Sequence, residues 1–185
     1  MRNHSSFLII MLLAAALSSP AFALERMVLG QQSFSPGIKA KFVAETRDII
    51  IPPQQNLPTQ DTDVHLEAFI HWAEFFPPKS ALRGEFIPFL NVYARVTDET
   101  TGKSGGTQLL PHLSASDGMH YGRNIKLPGA ATDRYAITFT INPPYEGELN
   151  YHSDWVRKYG ATLFNQPEVF TYSGLDFSKI VRSER

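Results

Sequence analysis

The chain has no cysteine. That absence removes disulfides, thiolate metal ligands and a cysteine nucleophile together, along with the acylated cysteine of a bacterial lipoprotein. Blocks of like charge are missing too: 17 Lys and Arg stand against 18 Asp and Glu, and no basic patch of the kind that grips nucleic acid occurs. Only residues 7–17 form an uninterrupted apolar run, and a bilayer span takes about 20 residues, so direct membrane insertion is not expected. The motifs of covalent and phosphate chemistry are absent as well: no G-x-S-x-G, no glycine-rich phosphate loop and no H-E-x-x-H. No general base or nucleophile stands apart from the candidate metal ligands below, so no enzymatic activity is expected. Helix signals are few.

What remains is a leader and a run of short strands. Residues 1–23 read as a secretory signal peptide, with Arg2 in the charged region, the apolar run after it, and Ala21-Phe22-Ala23 as a cleavage site. The mature domain then covers residues 24–177, and residues 178–185 form a polar C-terminal tail expected to be loose. Without disulfides, this exported domain must hold together by burial, which a chain of about 160 residues can do. Residues 38–44 and 64–71 alternate apolar and polar. Residues 86–96 are mostly apolar. Tyr135, Ile137, Phe139 and Ile141 form one clean face, and residues 169–172 make a last short strand. Prolines and glycines divide these runs, and residues 98–106 read as a connection. The pattern predicts an all-β sandwich of the seven-stranded type.

Three stretches carry chemistry. In residues 64–71, strand alternation sends Val64, Leu66, Ala68 and Ile70 to the core and His65, Glu67, Phe69 and His71 outward. His65 and Glu67 are then about 6.5 Å apart along the strand and can converge on one ion, whereas His71 is roughly 20 Å from His65 and cannot join them. A solvated polar face is the alternative for this pattern. Residues 106–125 begin as an apolar strand and are expected to end in a loop, with His112, Met119 and His120 among small residues and Gly118 and Gly122 letting the backbone turn on both sides of His120. His152 lies in a third stretch, after Pro143-Pro144, in a loop of the kind that collects functional side chains. Imidazoles with one carboxylate suit copper, iron or zinc.

Together these stretches resemble the periplasmic metal-binding proteins that accompany high-affinity iron permeases in bacteria. The resemblance runs from about Asp63 to Thr171. It is most specific at Asp63-Val64-His65-Leu66-Glu67-Ala68, at Ala115-Ser116-Asp117-Gly118-Met119-His120-Tyr121-Gly122-Arg123-Asn124-Ile125, and at His152-Ser153-Asp154. It implies an immunoglobulin-like β-sandwich, a homodimer, a periplasmic location, a copper site with an iron role nearby, and an inner-membrane iron permease as partner. By that likeness His65 and Glu67 are strand ligands, and His120 and His152 are loop ligands. Two departures stand out. The family's methionine falls at Leu113, so the thioether is either replaced by the His112 imidazole or lost. Met119 is a substitute only if its side chain turns toward His120, and His112 is favoured. Phe69 stands where the family has an acidic residue, which removes negative charge beside the site. The family's N-terminal acidic residue corresponds to Glu25, in a stretch that matches poorly.

The reading is therefore a periplasmic transition-metal protein that captures or conditions iron for a permease, with metal ligands His65, Glu67, His112, His120 and His152, copper as the metal and iron as a further candidate. A copper or zinc chaperone or resistance protein, and an immunoglobulin-like interaction module without metal, are the alternatives.

Overall fold

Eight strands build the protein, described here from a computed structural model over residues 25–74 and 82–184. The leader assigned to residues 1–23 lies outside the described residues. The strands are β1 (Arg26–Phe34), β2 (Ile38–Glu45), β3 (Val64–Trp72), β4 (Asn91–Asp98), β5 (Ser104–Ser114), β6 (Gly118–Ile125), β7 (Tyr135–Asn142) and β8 (Glu168–Leu175). All neighbours are antiparallel, in the order β1-β2-β3-β6-β5-β4-β7-β8. The all-β expectation holds, with eight strands where seven were anticipated.

β5 joins two layers. Its first half pairs with β4 from Thr97↔Ser104 to Val92↔Leu109, and its second half pairs with β6 from Leu110↔Gly122 to Ser114↔Gly118. Pro111 lies just past the end of the β4 pairing, where one edge of β5 has no strand beside it. A residue that cannot donate a ladder hydrogen bond is tolerated there. The sheet nearly closes on itself: the Tyr172 ring of β8 lies so close over Gly30 of β1 that a Cβ there would collide with it.

The core fills the space between the layers. Ile38, Ala40, Phe42 and Ala44 of β2 and the inward set of β3 face Tyr135, Ile137, Phe139 and Ile141 of β7, and Phe42 stacks on Phe139 with centroids 4.3 Å apart. The alternation read from β2, β3 and β7 is the alternation found.

Two expectations are corrected. The second half of residues 106–125 is not a loop but the strand β6, hydrogen-bonded on both sides; only the turn at residues 115–117 and the first residue of the strand, Gly118 with φ 70°, depart from strand geometry. The tail is not loose either. Ser178–Arg182 forms a short helix, α2, whose Ile180 joins the core. Ser183 hydrogen-bonds Thr46, and Arg47 donates to the Val181 and Ser183 carbonyls. A second short helix, α1 (Ser153–Tyr159), begins right after His152.

Candidate metal centre

β3, β6 and β5 lie side by side, and each sends one imidazole to the face of its layer that points away from the core. The register puts His65 opposite Asn124 and His112 opposite His120. On β6, His120, Gly122 and Asn124 share that outward face, while Tyr121 points into the core. His65, His112 and His120 each offer a ligand nitrogen within 4.8 Å of the other two. The His65 and His112 rings stack with centroids 5.5 Å apart, and the His112 and His120 rings stand edge to face at 5.8 Å.

Gly122 forms the floor beneath the rings. A Cβ at that position would come within 3 Å of both His112 Nδ1 and His65 Nε2, so these two nitrogens converge over bare backbone. Glycine here supplies space rather than the turn expected from the sequence.

The hydrogen bonds fix which nitrogens are free. Asn124 Nδ2 donates to the carbonyls of Asp48 (2.7 Å) and Leu57 (3.0 Å). Its Oδ1 therefore faces His65 Nδ1 at 2.8 Å as acceptor, which leaves the lone pair on His65 Nε2. His120 Nδ1 donates to the Gly118 carbonyl at 3.1 Å, so its Nε2 carries the lone pair. His112 Nδ1 is buried with no hydrogen-bond partner. An orphaned imidazole nitrogen beside two others with free lone pairs fits a metal ion.

Electrostatics keep the rings neutral. Burial pushes His65 and His112 down to about 4, and the other imidazoles add to the effect. Burial also lowers His120. Neutral imidazole is the form that binds metal. Glu67 shifts the other way: burial, and then the nearby Glu45, raise it to about 8. Its Oε1 lies 3.2 Å from His120 Nε2 and its Oε2 accepts from Arg26 Nη2 at 3.0 Å. In the metal-free protein, burial thus favours the carboxylic acid form of Glu67, donating to His120 Nε2; a metal held on that nitrogen would remove the acceptor and favour the ionised carboxylate.

The remaining candidates fall in different places. Glu67 contacts His120 but does not belong to the mutually close set of ligands. Met119 pairs with Leu113 across the hairpin and so points to the opposite face from His112 and His120. His71 pairs with Lys39 near the far end of β3. His152 is exposed and lies beside Trp72 and Trp155. Trp72 ends β3, at the far end of the strand from His65, and His152 is not among the mutually close ligand nitrogens. Glu25 engages Thr46 through its backbone; it is Arg26, one residue on, that reaches Glu67. Phe69 packs its ring on His120 at 5.1 Å. Asn124 and Arg26 had no role assigned from the sequence; only the register His65↔Asn124 marks the first. The triad opens into a cleft of about 460 Å³ walled by residues 48–51 and 111–115.

The family model for Fe2+ transport protein matches residues 23–178. A UPF0423 protein of Brucella abortus is 35% identical over 100 residues, 54% of this chain and 51% of its own length; the match thus spans about half the length of the curated relatives. A copper-bound variant of FetP from uropathogenic Escherichia coli is 26% identical, with a TM-score of 0.66 over 80% of this chain and 95% of that one. Copper-reconstituted P19 from Campylobacter jejuni shares the fold at 23% identity, with a TM-score of 0.67 over 80% of this chain and 94% of that one. Among the described residues no helix is long and apolar enough to cross a membrane.

Proposed function

This chain belongs to the Fe2+ transport protein family, and from that premise we propose that it is a periplasmic protein that binds copper, captures or conditions iron, and serves an inner-membrane iron permease. The observation that carries the proposal is the convergence of three neutral imidazoles over Gly122. His65, His112 and His120 are the copper ligands, and Glu67 acts on His120. The protein binds and hands over metal rather than catalysing a reaction. The copper-bound FetP structure supports the choice of metal.

The proposal includes the immunoglobulin-like form of the two layers and a homodimer. Ile49, Ile51 and Leu113 stand exposed around the cleft, an apolar rim suited to a second copy. An exposed His152 outside its own triad then becomes available to a partner's centre as the fourth ligand.

A second reading, a periplasmic copper or zinc chaperone or resistance protein, draws support from the donor set. With His112 in place of a thioether, the site is harder and suits Cu(II) or Zn(II) better than Cu(I).

The test combines metal analysis of protein taken from the periplasm with titration of wild type and Gly122→Ala. Wild type is expected to take one Cu(II) per chain. The variant, its sheet unchanged by circular dichroism, should bind roughly tenfold more weakly or worse. Zinc as the sole metal of the native protein would favour the chaperone. No metal in the native protein and none taken up on titration would leave an interaction module.

A further inference from the structure

The rings have a charged neighbour that the metal reading does not use. Arg26, at the start of β1, lays its guanidinium among three carboxylates from three different elements. Nη1 donates to Asp117 Oδ1 in the β5–β6 turn at 2.7 Å, Nη2 to Glu67 Oε2 on β3 at 3.0 Å, and Nε lies 3.7 Å from Glu45 Oε2 on β2. Glu45 and Glu67 are both 2% exposed. The guanidinium also packs over the Phe69 ring, with Cζ 5.4 Å from its centroid, and that ring touches His120. The Phe69 ring is thus a platform for a cation beside the carboxylates.

With copper on the imidazoles and Glu67 ionised, three carboxylates, two of them buried, turn toward one point and call for a positive charge there. A divalent cation with a preference for oxygen would meet that need. Here the charge is covalently tethered, permanently ionised and fixed by a fork of donors and an aromatic face.

We infer that Arg26 determines the metal stoichiometry and selectivity of the centre: its guanidinium fills the position a second, oxygen-ligated cation would take, and so keeps the centre mononuclear and confined to imidazole donors. The inference rests on the reading of His65, His112 and His120 as a metal site. Removing the charge while keeping the bulk should open the carboxylate side to a hard divalent ion, and keeping the charge should leave it closed.

The experiment loads wild type, Arg26→Met, Arg26→Gln and Arg26→Lys with Cu(II), then adds Mn2+. Native mass spectrometry counts both ions per chain, and circular dichroism monitors the sheet. Wild type and Arg26→Lys are expected to hold one Cu(II) and no Mn2+. Arg26→Met is expected to hold one of each, and adding Asp117→Asn to it should lower Mn2+ affinity at least tenfold. Arg26→Gln carries the same expectation as Arg26→Met and serves if the methionine variant does not fold. Copper without manganese in the folded, charge-free variant overturns the inference and leaves the copper site standing, as does manganese beside copper in wild type. Failure of every chain to take Cu(II) overturns the copper site and the inference with it.

Discussion

His65, His112, His120 and Glu67 share one small volume, yet burial moves them in opposite directions. Protonation of an imidazole is disfavoured in the fold, so between about pH 4 and 6.5 the unfolded chain binds more protons at His65 and His112 than the folded one. Stability of the metal-free protein therefore falls as pH drops through that window, by on the order of 2 kcal/mol from His65 alone at pH 4.5. Glu67 is raised, from 4.5 to about 8, so in that window the folded chain holds the extra proton and its contribution falls as pH rises. Above pH 6.5 only the Glu67 effect remains. The expected profile, from urea unfolding of metal-free protein, peaks near pH 6.5 and declines on both sides. Glu67→Gln should remove the alkaline decline and keep the acid one. A flat profile from pH 4.5 to 8 would contradict the burial of all these groups. At this scale the histidines were legible, because imidazoles are scarce and their spacing on a strand is informative. Asn124 and Arg26 were not: a single polar residue in a β-rich chain looks like any other, and only the pairing His65↔Asn124, or the reach of the Arg26 side chain across β2 to Glu67, shows what it holds.

Among the elements, β2, β3 and β7 were legible because each buries one face and alternates accordingly. β1 was not, since both of its faces are partly exposed and it lies at the edge. β6 reads as a loop because its outward face must carry Gly122 under the rings and its first residue must be a turn glycine; both demands remove the β-branched side chains that announce a strand. α2 is too short to show a period. Its two apolar residues, Ile180 and Val181, sit in a polar octet, yet Ile180 is 2% exposed. Ile180→Ala is expected to cost about 2–4 kcal/mol, measured by urea unfolding at neutral pH. A change under about 0.5 kcal/mol, the size of an ordinary surface substitution, would mean the helix does not dock on the core.

The molecule as a whole presents its imidazole-lined cleft, its apolar rim and His152 outward. Ile51 is 83% exposed and Leu113 78%, which is unusual for side chains flanking a buried centre. Light scattering at micromolar concentration is expected to give the mass of two chains, with and without metal. Ile51→Glu combined with Leu113→Glu should give one chain, with the sheet intact. A wild-type mass of one chain in both conditions would remove the partner's His152 as a fourth ligand. The double role of β5 also has a consequence in time. A chain made from its N-terminus completes β1, β2 and β3 early, with His65 already in place. The other two rings need β5 and β6, and β5 is anchored by β4, which is itself backed by β7. The three nitrogens therefore meet only once β5 and β6 have been laid beside β3, so a loaded centre reports that β5 has joined the two layers.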